Sequence, residues 1–260
     1  MNKIYFLSDV HLGAHDDRLE KLKEQRLLSF FRMIEVESAD LVIVGDLFDF
    51  WFEYKQVVPR KHFRVLGYLA LLAAEREIHY LAGNHDFWLN SFMRNEIGLI
   101  VHDDEYVLNS SGRRIYMRHG DGLLKNDVGY RFLKRILRNK VNIFLYRLLH
   151  PDIGIPFALF FSHLSRNSGE KKSDTYADLD YRHYAFAMIE KEFDIVVLGH
   201  THWAALAPHK HGYYVNPGFW GMNFTYAVVE NGVPFLFAWN GQNGVPFSPA
   251  IPPGNIKNVK

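Results

Sequence analysis

The sequence predicts a layered α/β fold in which two sheets face one another between helices, and three observations carry that prediction. Short β-rich apolar runs recur along the 260 residues, amphipathic helical patterns separate the first three of them, and Asp, Asn or His follows most of the runs almost at once. The first run, Ile4 to Leu7, stops at Ser8-Asp9, so it reads as a buried strand and not as a secretory leader. Leu19, Leu22, Leu27, Phe30 and Phe31 then mark the core-facing stripe of a helix. Leu41 to Val44 is the second strand, and Phe63, Leu66, Leu69, Leu72 and Ala73 form the second stripe. Ile78 to Leu81, Ile115 to Met117, Ile195 to Leu198 and Tyr213 to Val215 continue the strands. Tyr226 to Val229 and Pro234 to Trp239, joined through Glu230-Asn231-Gly232, read as a hairpin that finishes a second sheet.

These elements divide the chain into a core of residues 1–123 and 191–243, a helical insertion over 124–190, and a Pro-rich tail over 244–260. The insertion is also electrostatically distinct. Residues 125–172 hold ten Lys or Arg against three acids, a charge of +7 in a chain whose net charge is +1. Such a segment calls for an anionic partner or surface of its own. The longest apolar stretch, Ile153 to Phe161, includes Gly154 and Pro156 and falls far short of the roughly 20 residues that cross a bilayer. With no cysteine, a disulfide framework and thiolate metal sites are both excluded, which fits a reducing compartment.

The residues that carry chemistry cluster just past the apolar runs. Asp9-Val10-His11, Gly45-Asp46-Leu47-Phe48-Asp49, Gly83-Asn84-His85-Asp86, His119 in Arg118-His119-Gly120-Asp121, and Gly199-His200-Thr201-His202 all stand at or near strand ends. Open α/β sheets gather ligands at that edge. Carboxylate, amide oxygen and imidazole suit hard or borderline divalent cations such as Mn²⁺ and Mg²⁺. On an extended chain, residues two apart point to the same side, so Asp9 with His11, and His200 with His202, are expected to grip an ion as pairs. Two ions roughly 3.5–4 Å apart need a shared ligand, and Asp46 is the candidate bridge, with Asp49 close enough to orient an imidazole. His15, His62, His79, His102, His150, His163, His183, His209 and His211 match no such cluster and are left out of the site.

Taken together, these blocks resemble the calcineurin-like metallophosphoesterases across roughly residues 3–230. The resemblance implies a four-layer αββα metallophosphoesterase sandwich carrying an inserted helical lid, and a dinuclear site. Asp9, His11, Asp46 and His202 would bind one metal, and Asp46, Asn84, His119 and His200 the other. His85, paired with Asp86, would serve as proton donor or charge stabiliser, and Asn216-Pro217-Gly218 would form a turn beneath the metals.

Gly45 to Lys55, His119-Gly120-Asp121 with Asp127 and Tyr130, and Ser165-Arg166-Asn167 are similar, more narrowly, to the UDP-2,3-diacylglucosamine diphosphatases of lipid A biosynthesis. Many of those carry Arg where this chain has His85. This likeness implies hydrolysis of a UDP-linked diacylglucosamine with two divalent ions, Mn²⁺ first and Mg²⁺, Fe²⁺ or Zn²⁺ as alternatives. It also implies Asp127, Tyr130, Ser165, Arg166 and Asn167 as substrate-binding residues, and a cytoplasmic enzyme held peripherally at the inner membrane. An apolar, basic lid fits acyl chains and an anionic membrane surface. Nucleic acid is not an expected partner, because its grooves need basic residues interleaved with exposed aromatics along an open channel, whereas the insertion has long aliphatic and Phe stripes. The alternatives are a phosphoesterase acting on another phosphomonoester or phosphodiester, and a non-catalytic scaffold on the same fold.

Overall fold

The computed structural model describes residues 3–124, 127–169 and 175–249, and the side chains of residues 161, 163–169 and 175–177 are not among those described. Two sheets carry the chain. The first has seven strands: β1 (Lys3–Leu7), β2 (Asp40–Val44), β3 (Ile78–Leu81), β4 (Ile100–His102), β10 (Thr225–Glu230), β11 (Val233–Trp239) and β12 (Gly244–Pro246), in the order β12-β11-β10-β1-β2-β3-β4. The second has five, β5 (Glu105–Ser110), β6 (Arg113–Arg118), β7 (Ile195–Leu198), β8 (Ala205–His209) and β9 (Gly212–Asn216), in the order β5-β6-β7-β9-β8. Strands β1, β2, β3 and β4 run parallel, as do β6, β7 and β9. The strands that precede the candidate clusters therefore end together at one edge of each sheet.

Alternation along the central strands builds the layers. Ile4 and Phe6 of β1, with Val42 and Val44 of β2, turn towards Ile115 and Met117 of β6 and Ile195 and Val197 of β7, filling the space between the sheets. Tyr5, Leu7, Leu41 and Ile43 turn the other way, onto α1 (Asp17–Glu37) and α2 (Phe63–Ala73). Burial on both faces explains why these runs are continuously apolar. On the far side, Tyr181, Ala185 and Ile189 of α6 (Thr175–Lys191) pack on Val196, Leu198 and Tyr214.

Helix α6 is thus the outer layer of the second sheet, although the sequence groups it with the insertion. The helices that stand off the sheets are α3 (Val128–Leu137), α4 (Lys140–Arg147) and α5 (Pro151–Gly169), rich in exposed apolar residues such as Phe132, Phe144, Leu148 and Ile153. The start of the tail joins the first sheet. β12 adds to β11 as an edge strand, where Pro246 removes no central ladder bond. The other tail residues predicted from composition, 250–260, lie outside the described residues.

The helix stripes also shift in detail. Leu22 is 38% exposed and Phe63 67% exposed, while Lys23 is fully buried and Val65 takes the inner position on α2. Lys23 faces inward because it has acceptors there: its Nζ donates to the His11 carbonyl (2.6 Å) and to Glu20 Oε1 (2.7 Å). Glu20 in turn accepts from the backbone N–H groups of Gly13 (2.8 Å) and His15 (3.0 Å). Burial works against the Glu20 carboxylate, but His15, Lys23 and the Gly13 N–H outweigh it and lower its pKa from 4.5 to about 2. A depressed carboxylate stabilises the fold above the unfolded value, and that contribution disappears as pH falls through the folded value. Glu20→Gln should therefore lose ~1–3 kcal/mol of stability at pH 7, and the difference from wild type should vanish between pH 4.5 and about 2. Urea unfolding at a series of pH values checks this, and a pH-independent difference would contradict it.

Candidate metal centre

The ligand clusters are built on left-handed turns, not on extended chain. Asp9 (φ 51°), His11 (φ 48°), Asp46 (φ 53°), His200 (φ 69°) and His202 (φ 60°) all have positive φ. The expectation that Asp-x-His pairs share one side of a strand is therefore corrected: the two residues converge because both turn left-handed just past the strand. Such backbone costs of order 1–3 kcal/mol per residue and persists only where its surroundings enforce it. Here the β1 and β2 turns brace each other. The N–H groups of Val10 (2.9 Å) and His11 (3.0 Å) donate to the Asp46 carbonyl, and Leu12 N–H donates to Leu47 O (2.9 Å). Gly45 (φ 82°) lies against the His119 ring, where a Cβ would overlap Nδ1.

Within this frame all seven predicted ligands meet. Asp46 Oδ2 lies 3.7 Å from His11 Nε2 and 3.3 Å from His119 Nε2, so one carboxylate oxygen stands between two donor groups. On one side, Asp9 Oδ1 is 3.4 Å from His202 Nε2 and 3.8 Å from His11 Nε2, and the two imidazole Nε2 atoms are 3.1 Å apart. On the other, Asn84 Oδ1 is 3.0 Å from His119 Nε2 and 2.8 Å from His200 Nδ1. Donor atoms packed this closely, with no thiolate among them, match the coordination spheres of divalent cations. A second sign of fit is that Asp9 Oδ1 is buried without a hydrogen-bond partner.

Electrostatics agree. Burial disfavours the charged form of His119, yet Asp46, Asp9 and Asp121 outweigh it and raise its pKa to about 10. His11 rises to about 9 against the same opposition, through Asp49, Asp9 and Asp46. Despite burial, the surrounding histidines hold Asp46 and Asp9 well below the usual carboxylate range. His200 goes the other way, to about 4, through burial and the positive charge of His119. The pocket concentrates negative charge that draws in positive charge, and a cation entering it has to displace protons.

Around the ligands lies a shell that the sequence only partly shows. His119 Nδ1 donates to Val44 O (2.8 Å), and His11 Nδ1 faces Asp49 Oδ1 (3.5 Å), which gives Asp49 its expected orienting place. Phe219 stacks flat on His202, with centroids 4.5 Å apart and planes at 9°. Asn216 Nδ2 donates to Thr201 Oγ1 (2.9 Å) and its Oδ1 accepts from Gly218 N–H (2.9 Å), so the Asn-Pro-Gly turn braces the His200–His202 loop. No short motif announces Phe219 or Lys23, because each acts through a neighbour distant in sequence.

One expectation changes. Asp86 does not pair with His85. Its buried carboxylate accepts from the N–H groups of Gly83 (3.0 Å), Asp46 (3.2 Å) and Phe48 (3.3 Å) and from the Tyr80 hydroxyl. Burial and the charge of Asp46 raise its pKa to about 6. The aspartate points inward because three turn amides converge there and need an acceptor. His85 Nδ1 instead meets the Asp49 carbonyl (3.0 Å) and Ser162 Oγ (3.0 Å). Tyr130, predicted to bind substrate, gives its hydroxyl to Asp121 (2.7 Å), which also takes Lys134 Nζ (2.6 Å), fastening α3 to the loop after β6. Asp127 stands at the N-terminus of α3. Ser165, Arg166 and Asn167 lie on the last turns of α5, and their side chains lie outside the described residues.

Comparison with known proteins adds a second line of observation. The family model for calcineurin-like phosphoesterases matches residues 2–204. A UDP-2,3-diacylglucosamine hydrolase from Porphyromonas gingivalis is 35% identical over 218 residues, covering 77% of this chain and 83% of that protein. Enzymes of the same name from Photorhabdus laumondii and Proteus mirabilis are each 29% identical, covering 76% and 77% of this chain and 80% and 82% of their own lengths. Among solved structures, the E. coli phosphoesterase Yfce aligns at 16% identity with a TM-score of 0.47, over 94% of this chain and 96% of that one.

Proposed function

The chain belongs to the calcineurin-like phosphoesterases, and from that premise we propose that it hydrolyses the diphosphate of UDP-2,3-diacylglucosamine, giving UMP and 2,3-diacylglucosamine 1-phosphate. The observation that carries this reading is the 35% identity with a hydrolase of that name across most of both chains. In the proposed site, Asp9, His11, Asp46 and His202 hold one divalent ion, and Asp46, Asn84, His119 and His200 hold the other. Mn²⁺ is the metal proposed, with Mg²⁺, Fe²⁺ or Zn²⁺ as alternatives.

Bound there, the two ions would polarise the phosphoryl oxygens and acidify a water for in-line attack. His85 stands at the rim and stabilises or protonates the leaving phosphate. Asp49 and Phe219 hold the His11 and His202 rings in their orientations. The acyl chains have a place to go: a cleft of about 1040 Å³ runs between the 54–62 loop and α4 and α5, lined by Val57, Val58, Phe144, Leu148, Ile155 and Leu159. Its volume is at the upper end for ligand pockets. Lys55, Arg60, Lys61 and Arg147 also line it and suit phosphates. No helix among the described residues is long and apolar enough to cross a membrane. The exposed Leu133, Val141 and Leu145, beside Arg135 and Lys140 and outside the cleft, support peripheral contact with the anionic cytoplasmic face of the inner membrane.

The test is to incubate purified protein with UDP-2,3-diacylglucosamine and with a plain aryl phosphodiester, each with Mn²⁺ and with EDTA. Mn²⁺-dependent release of UMP is the expected result. Turnover of the aryl diester alone would reject the lipid substrate in favour of another phosphoester, and turnover in EDTA would reject the metal centre.

A further inference from the structure

Ser162 ties α5 of the insertion to the catalytic edge. It lies on α5, 113 positions after Asp49, yet its Oγ is 3.1 Å from both Asp49 O and Asp49 Oδ2 and 3.0 Å from His85 Nδ1. The donor count fixes the roles. A carbonyl and a carboxylate only accept, so the single hydroxyl proton goes to Asp49 and a lone pair on Oγ remains to accept from His85. His85 Nδ1 also faces the Asp49 carbonyl at 3.0 Å, so Nδ1 is the nitrogen that donates. Two acceptors then hold the ring through Nδ1–H, and the imidazolium, which carries a second proton on Nε2, is the form that can stabilise or protonate the leaving phosphate.

We propose that Ser162 is a positioning residue for His85, so that the imidazole is correctly held only when α5 is docked on the turn that carries Asp49. The insertion then does more than cover the substrate: its docking completes the site. This rests on the reading of the site as a phosphoester-hydrolysing centre with His85 at its rim, and not on the identity of the lipid. Without Ser162, Nδ1 loses one of its two acceptors, and rotation about the Cβ–Cγ bond lets Nε2 leave the reactive geometry. Misplacing a catalytic group in this way lowers kcat more than it raises KM.

The test compares Ser162→Ala, Ser162→Thr, His85→Ala and the Ser162→Ala/His85→Ala double variant on UDP-2,3-diacylglucosamine and on an aryl phosphodiester. It uses whichever substrate the wild-type protein turns over, so that a wrong substrate assignment leaves the test intact. Ser162→Ala should lower kcat by ~10-fold with KM within ~2-fold, and Ser162→Thr, which keeps the hydroxyl, should restore it. In the His85→Ala background, Ser162→Ala should have no further effect, since its partner is gone. Unchanged kcat in Ser162→Ala would overturn the proposal, as would losses that multiply in the double variant. A loss in Ser162→Ala that the threonine fails to restore would overturn it too.

Discussion

Asp46→Asn is expected to lower phosphoester turnover by more than ~10²-fold while leaving the fold in place, because replacing partners that merely orient a metal ligand already costs 10–100-fold. Asparagine is the informative choice. It tolerates the left-handed backbone that Asp46 adopts, so the turn after β2 survives. The amide then has to choose an orientation. Asp46 Oδ1 accepts from the His85 N–H at 2.9 Å, and an asparagine places its carbonyl there to avoid opposing one donor with another. Its NH₂ then falls where Oδ2 stands between His11 and His119, and a donor replaces the shared oxygen of both donor sets. Metal analysis of the purified variant should find fewer than two ions bound per chain, with an unfolding temperature near that of wild type. Wild-type turnover in Asp46→Asn would refute the bridging role.

Asp86→Ala should destabilise the protein by ~3–5 kcal/mol, since three buried amides and a buried tyrosine hydroxyl lose their acceptor together. That is a large share of the ~5–15 kcal/mol by which domains are stable. Asp86→Asn should be milder, because one side of its amide still offers a carbonyl to Gly83 and Asp46 while the other turns a donor towards Phe48 N–H. Urea unfolding of the three proteins should therefore rank them wild type, Asn, Ala. If Ala instead proves as stable as wild type, Asp86 is not the brace of these turns. The effect is opposite in kind to that at Asp46, where chemistry is lost and stability kept.

How much of this was legible in the sequence depends on how local the cause is. The seven candidate ligands stand out because each sits in a short cluster beside an apolar run, and the residue types of such runs signal a buried strand locally. The place of Asp46 between His11 and His119, which suits the proposed bridge, could be anticipated from the two oxygens of its carboxylate. By contrast, Asp86 looked like a partner for its neighbour His85, and only the convergence of amides from two turns shows why it points inward. Lys23 lies outside the apolar stripe of α1, and only the His11 carbonyl, an acceptor from another segment, accounts for its burial. Helix α6 shares the helical pattern of the insertion, and nothing local tells a helix that stands off a sheet from one that covers it.

The sequence by itself therefore determined which side chains are the candidate ligands, the alternation of strands and helices, and the presence of a basic, apolar insertion. These follow from residue type and periodicity over a few residues. Tertiary structure alone decided the geometry: Asn84 meets His200 across 116 positions, Asp9 meets His202, and Ser162 meets His85, because parallel strands of two facing sheets end at a common edge. It also set the left-handed turns that aim the ligands, since such backbone is unfavourable for Asp and His in isolation and is held only by hydrogen bonds from the neighbouring turn.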